Sequence, residues 1–153
     1  MSPEKKPRLL VVEDDYENQK FLQIFLKRKF DLEICDNSES FYEKIDNDNF
    51  NIILMDISLK GKKDGLQLTR ELRAKDKYKN IPIVGLSAHA FQRDKDNAYN
   101  AGIDIFLTKP VQNDVLMDTL LKALDQKKIW YILSGAPKNI FFVTSKGFSP
   151  SNS

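Results

Sequence analysis

Four places in this chain join charged or hydroxyl residues to the end of an apolar run. Arg8-Leu-Leu-Val-Val12 runs into Glu13-Asp14-Asp15, and Phe50-Asn-Ile-Ile-Leu-Met55 into Asp56. Ile81-Pro-Ile-Val-Gly-Leu86 runs into Ser87, and Asp104-Ile-Phe-Leu107 into Thr108-Lys109-Pro110. Carboxylates gathered in one pocket repel one another and raise each other's pKa values unless a cation offsets them. A hard divalent ion such as Mg²⁺ suits a site of one or two carboxylates completed by water and backbone oxygen. The same ion neutralises the oxygens of an incoming phosphoryl group. Lys109 would add a point charge from the other side, and Ser87 a hydrogen bond to a phosphoryl oxygen. One carboxylate would then be the nucleophile and form an acyl phosphate. Asp56 ends the central run, between the acidic pair and the lysine, and is the best-placed candidate.

The elements that must position these groups are legible as a rhythm. The runs at 8–13, 50–56, 81–87 and 104–108 have the β-branched, continuous apolar look of strands buried on both faces, and Asp31–Cys35 alternates as a shorter strand. Between them lie helical patterns. Residues 15–29 pair Phe21 with Phe25 and Leu22 with Leu26 at i, i+4 and read as one apolar stripe. Asn37 or Ser38 caps a helix that turns Phe41 and Ile45 inward. Residues 64–76 carry Leu68 and Leu72, residues 91–101 end at the C′ glycine Gly102, and residues 112–126 align Leu116, Leu120 and Leu124. Five strands alternating with five helices predict a doubly wound α/β sandwich with a five-stranded parallel sheet. Such a sheet binds ligands at the carboxyl ends of its strands, where all the reactive groups above fall.

Composition removes several classes. Of 153 residues, 41% are apolar and 30% charged, the balance of a globular chain rather than a disordered one. No apolar run approaches the roughly 20 residues that span a bilayer, and Met1–Arg8 lacks a signal-peptide core. Cys35 is the only cysteine, so neither an internal disulfide nor a thiolate cluster can form, and a cytoplasmic setting is expected. His89 is the only histidine, which excludes a multi-histidine metal site. Gly61 and Gly65 do not form a Gly-rich nucleotide loop. From Gln126 onward the chain has four lysines and no acids, so the net charge of +2 leaves the body, with 20 basic and 22 acidic residues, at −2. Four scattered lysines read as a solvated extension, and nucleic acid is not an expected partner.

The segments Leu9-Leu-Val-Val-Glu-Asp-Asp15, Ile53-Leu-Met-Asp-Ile57, Gly85-Leu-Ser-Ala-His-Ala90 and Phe106-Leu-Thr-Lys-Pro110 together resemble the response-regulator receiver (CheY-like) family over residues 8 to about 126. The resemblance implies a flavodoxin-like sheet of order 2-1-3-4-5 and Asp56 as phosphoacceptor. It implies Asp14 as a direct Mg²⁺ ligand, Glu13 as a ligand acting mostly through water, and the Ser58 carbonyl completing the metal site. Ser87 and Phe106 would be a coupled switch, Lys109 would bridge the phosphoryl group, and the bond before Pro110 would be cis. His89, two residues past Ser87, stands where the family tunes phosphoryl lifetime. Two departures stand out. Ser58-Leu-Lys-Gly-Lys-Lys-Asp-Gly65 has Lys60 where the family's loop usually carries proline, plus one extra residue, which predicts a more basic and more mobile loop. Phe106 replaces the tyrosine often found, so its inward swing would be driven by burial alone.

The expected function is signal relay: a sensor histidine kinase or histidine phosphotransfer protein donates a phosphoryl group to Asp56. The chain is read as a phosphoacceptor that turns over no small-molecule substrate. Residues 1–126 form the receiver and 127–153 an aromatic and basic extension, holding Trp130, Tyr131, Phe141, Phe142 and Phe148. Lys128–Leu133 would prolong the fifth helix as far as Ser134-Gly135-Ala136-Pro137, and Asn139–Thr144 has strand-like composition. With no room for an output domain, the signal is expected to leave by protein contact, to a downstream target or a homodimer, through the fourth helix, fifth strand and fifth helix and through the extension. The competing readings are a phosphorylation-independent interaction module and a receiver piece of a hybrid histidine kinase; Met1 and the non-helical start favour a free-standing protein over the latter. A haloacid-dehalogenase-type phosphatase would need a second aspartate where Ser58 stands.

Overall fold

The computed structural model describes residues 5–134, 143–144 and 147–148. Five strands form one parallel sheet: β1 (Arg8–Val12), β2 (Asp31–Cys35), β3 (Ile52–Asp56), β4 (Ile83–Ser87) and β5 (Ile105–Thr108), in the order β2-β1-β3-β4-β5. The helices α1 (Tyr16–Leu26), α2 (Ser38–Asn47), α3 (Gly65–Arg73), α4 (Gln92–Ala101) and α5 (Asn113–Ser134) alternate with them, and a 3-10 turn at Asp76–Tyr78 precedes β4. This is the doubly wound sandwich that the alternation predicts. Every residue of β3 and β4 is buried, which explains why these strands read as unbroken apolar runs.

Two apolar layers sandwich the sheet. Leu10, Ile53, Met55 and Ile83 meet Phe41, Ile45, Leu68, Leu72 and Ala98 of α2, α3 and α4 on one face. Leu9, Val11, Ile52, Leu54 and Val84 meet Leu22, Leu26, Leu116 and Leu120 of α1 and α5 on the other. Alternate residues of one strand therefore serve opposite layers. On α1 the predicted single stripe is divided. Leu22 and Leu26 are buried, whereas Phe21 is 51% exposed and Ile24 66% exposed. Phe21–Phe25 and Leu22–Leu26 are neighbouring rows one residue apart, about 100° round the helix; the leucine row is buried against the sheet, and Phe25 packs half-buried at its edge.

Local sequence fixes the ends of the elements. Asp15 caps α1 by accepting from the Asn18 N–H at 2.9 Å, and Asn37 forms a reciprocal capping box with Ser40 on α2. Asp64 caps α3 by accepting from the Gln67 N–H. Gly102 closes α4 at φ 117°, the left-handed conformation that favours glycine. Cys35 is buried at the end of β2, and burial pushes its thiol pKa up to about 12, so it stays an inert thiol.

The fifth helix runs to Ser134, as the sequence predicts. Val143–Thr144 pairs antiparallel with Gly147–Phe148, which bears out the end of the strand-like stretch, while Asn139–Phe142 lie outside the described residues. The packing expected of Trp130, Tyr131, Phe141, Phe142 and Phe148 lies outside the described side chains. Among the described residues no helix is long and apolar enough to cross a membrane.

Candidate functional site

The carboxyl ends of β1, β3, β4 and β5 bring the predicted groups together. Glu13, Asp14 and Asp56 each offer a carboxylate oxygen, and these lie within 4.8 Å of one another. Glu13 and Asp56 are buried, Asp14 half-buried. Lys109 Nζ stands 3.4 Å from Asp56 Oδ2 and 3.4 Å from Glu13 Oε1. Three carboxylates against one ammonium leave the ionised pocket two charges negative, and the donor set, all hard oxygen, fits a divalent cation of the Mg²⁺ kind. Asp15, next in the acidic run, stands outside the cluster: its side chain caps α1, and its N–H donates to Glu13 Oε2 at 3.2 Å.

The imbalance shows in Glu13. Burial, and then the hydrogen bond it shares with Asp56, push its pKa up to about 7 from an ordinary value near 4.5; the Asp15 N–H and Lys109 pull the other way. Asn18 Nδ2 reaches Glu13 Oε1 at 3.4 Å, and Gln19 Nε2 donates to the Glu13 carbonyl at 2.6 Å. Sequence reading missed both amides, although their place one turn into α1 beside an acidic run was a usable signal. A carboxyl with a raised folded-state pKa stabilises the fold below its unfolded pKa, and that stability is lost as pH rises through the folded value. The metal-free protein is therefore expected to lose stability between about pH 4.5 and about pH 7, in a urea-midpoint series. Glu13→Gln should flatten that decline, and an unchanged slope in the variant would assign it to other groups.

Asp56 is held at both ends. Its Oδ1 accepts from the Ser58 N–H at 2.9 Å, and its carbonyl accepts from the Leu59 N–H at 3.3 Å. Ser87 is 3% exposed, and its Oγ accepts from the His89 N–H at 3.0 Å, which leaves the hydroxyl proton free to donate. His89 itself is exposed, and its imidazole has no hydrogen-bond or ion-pair partner among the described residues. The Lys109–Pro110 bond is cis, and the Lys109 N–H donates to the Ser87 carbonyl at 2.7 Å.

Phe106 is half-buried against the layer of α2, α3 and α4. Its ring centroid lies 6.4 Å from that of Tyr99, whose hydroxyl accepts from the Phe106 N–H at 3.2 Å. A hydroxyl thus sits beside Phe106 after all, supplied by α4 rather than by residue 106. The loop from Ser58 to Asp64 is also tied where a looser one was expected. Leu59 is buried in the core, and the Lys60 N–H donates to Asp14 Oδ2 at 3.0 Å. Lys63 reaches Glu71 at 2.8 Å and the Tyr42 hydroxyl at 3.2 Å, while Lys62 lies 3.6 Å from Glu39. The predicted basic character is present, but the Lys62 and Lys63 charges are turned toward α2 and α3.

The sequence model of the response regulator receiver domain matches residues 9–121 of this chain. The chain belongs to the receiver domain family. Hybrid signal transduction histidine kinase I of Dictyostelium discoideum is 34% identical over 129 residues, covering 78% of this chain and 7% of the kinase. Sensor protein GacS of Pseudomonas syringae is 30% identical over 122 residues, covering 77% of this chain and 13% of that protein. The chain thus spans about a tenth of the length of these two relatives. Among solved structures, the receiver domain of sensor histidine kinase PA1611 from Pseudomonas aeruginosa matches with a TM-score of 0.72 and 28% identity, over 78% of this chain and 98% of that one. That structure carries a magnesium ion coordinated in its active-site cleft.

Proposed function

We propose that this receiver takes a phosphoryl group from a phosphohistidine onto Asp56, with Mg²⁺ held by Glu13, Asp14, Asp56 and the Ser58 carbonyl. The observation that carries this reading is the juxtaposition of three carboxylates with Lys109 Nζ at 3.4 Å from Asp56. Asp56 Oδ2 attacks phosphorus, the phosphorus–nitrogen bond of the donor breaks, and the imidazole leaves with a proton. Lys109 and the Ser87 hydroxyl then face the new phosphoryl oxygens, while the cation supplies the charge compensation that the ionised pocket lacks. The donor is a sensor histidine kinase or a histidine phosphotransfer protein. The domain catalyses its own phosphorylation and slow dephosphorylation and turns over no small-molecule substrate.

Output follows from the same pocket. Ser87 moves toward the phosphoryl group, Phe106 swings into the space it leaves, and the face of α4, β5 and α5 changes shape for a protein target or a second copy. His89 modulates phosphoryl lifetime from the rim, and the setting is cytoplasmic. A second reading, a receiver segment of a hybrid kinase, is favoured by the kinases among the relatives and uses the same Asp56 chemistry. Removing the metal tests the reading: a phosphorylated phosphotransfer protein should load Asp56 within minutes in millimolar Mg²⁺ and lose at least about 100-fold in rate with EDTA, the size expected when a principal electrostatic group is withdrawn. Loading at an unchanged rate in EDTA would contradict the cation's role.

A further inference from the structure

We propose that the main-chain N–H of Lys60 is the group that positions Asp14 for cation binding, latching the β3–α3 loop to the acidic pocket. The inference rests on the reading of Glu13, Asp14 and Asp56 as a divalent-cation site. Asp14 lies half-buried just past β1, 46 residues from Lys60, yet its Oδ2 accepts from the Lys60 N–H at 3.0 Å. Among the described residues no other group donates to Asp14 Oδ2. One carboxylate oxygen is thereby spoken for, and the other stays open to a cation.

Asp56 repeats the arrangement. The Ser58 N–H takes its Oδ1 at 2.9 Å, so two amides of one loop, two residues apart, each hold one oxygen of a site carboxylate. A charged acceptor makes such bonds stronger than neutral ones. The loop that provides them is anchored on both sides of Lys60. Leu59 is 4% exposed within the core, and Lys63 is paired with Glu71 on α3. Gly61 adopts φ 118° immediately afterwards, so the chain can turn away once its amide has been delivered. Since Ser58, whose carbonyl belongs to the proposed metal site, lies in the same anchored stretch, a latch at Lys60 fixes ligand and ligand-bearing loop together. The Lys60 ammonium takes no part in the latch: its side chain is exposed and has no ion-pair partner among the described residues.

Two substitutions separate the amide from the side chain. Lys60→Pro deletes the N–H, whereas Lys60→Ala keeps it and removes the charge. In calorimetric titration of the metal-free full chain with MgCl₂, Lys60→Pro is expected to weaken Mg²⁺ binding about tenfold, and Lys60→Ala to stay within about threefold of wild type, consistent with one hydrogen bond to a charged group. Lys60→Pro binding as tightly as wild type, or tighter, overturns the latch, as does an equal loss in Lys60→Ala. If wild type takes up no Mg²⁺, the cation site itself fails and the latch with it, an outcome distinct from variants that merely match a binding wild type. A measurement independent of proline's effect on folding is amide hydrogen exchange at Lys60. In the metal-free protein, Asp14→Ala should speed exchange there at least about tenfold, and an unchanged rate would rule out the latch.

Discussion

Asp104→Ala is expected to lower the unfolding free energy by about 3–5 kcal/mol, the range for breaking a buried ion pair by removing one partner. Asp104 is 4% exposed at the mouth of β5. Its Oδ2 accepts from Arg73 Nη2 at 2.8 Å and from the Ile83 N–H at 2.8 Å. Arg73, in the last turn of α3, also donates to the Gly102 carbonyl through Nε and Nη2, and through Nη1 to the Ile81 carbonyl at 2.7 Å. One guanidinium therefore ties α3 to the start of β4 and to the α4–β5 turn. Alanine at 104 leaves the half-buried guanidinium with carbonyl acceptors but no counter-charge, and leaves the buried Ile83 N–H without its acceptor. The network lies at the amino edge of the sheet, away from Asp56, so phosphorylation per folded molecule should change little. Urea denaturation with a parallel phosphorylation assay separates the two. A loss below about 1 kcal/mol would mean that the ion pair contributes little in solution.

The second large effect is predicted at Gly65. A Cβ there would stand 2.4 Å from the Asp56 carbonyl oxygen and 2.9 Å from Ile57 Cα. Both are backbone atoms, so no side-chain rotation relieves the contact. Either the first turn of α3 or the end of β3 must move. Gly65→Ala should cost about 2–3 kcal/mol, the upper part of the usual overpacking range, and slow phosphorylation about tenfold or more, because the shift falls on the peptide that carries Asp56. Gly85 makes the useful contrast. Its Cβ would meet Ile57 Cδ1 at 2.8 Å and Ile103 Cγ2 at 3.1 Å, side-chain ends that can turn aside, so Gly85→Ala should be milder in both assays. Equal behaviour of the two alanines would contradict this account of Gly65.

What could be read from the sequence follows from what carries a local signal. Glu13, Asp14, Asp56, Ser87 and Lys109 each end an apolar run, and a doubly wound sheet gathers such ends by topology, so their meeting required no knowledge of side-chain positions. Arg73 and Asp104 gave no such signal, since 31 residues separate them and an arginine in a last helical turn ordinarily faces solvent. The Lys60 contact was illegible for another reason: its donor is a backbone amide, which every residue but proline has. Tyr99 lies seven residues from Phe106, and only the α4–β5 geometry brings its hydroxyl to the Phe106 amide. On α1 two adjacent apolar rows competed for one buried face, and periodicity alone did not rank leucine above phenylalanine.

The central claim is that Asp56 accepts the phosphoryl group. Incubating the protein with acetyl phosphate and Mg²⁺, then measuring intact mass beside Asp56→Asn, tests it without a cognate kinase. Wild type should gain the mass of one phosphoryl group, and Asp56→Asn none. A wild type that never gains it, or an Asp56→Asn variant that gains it equally, would contradict the assignment.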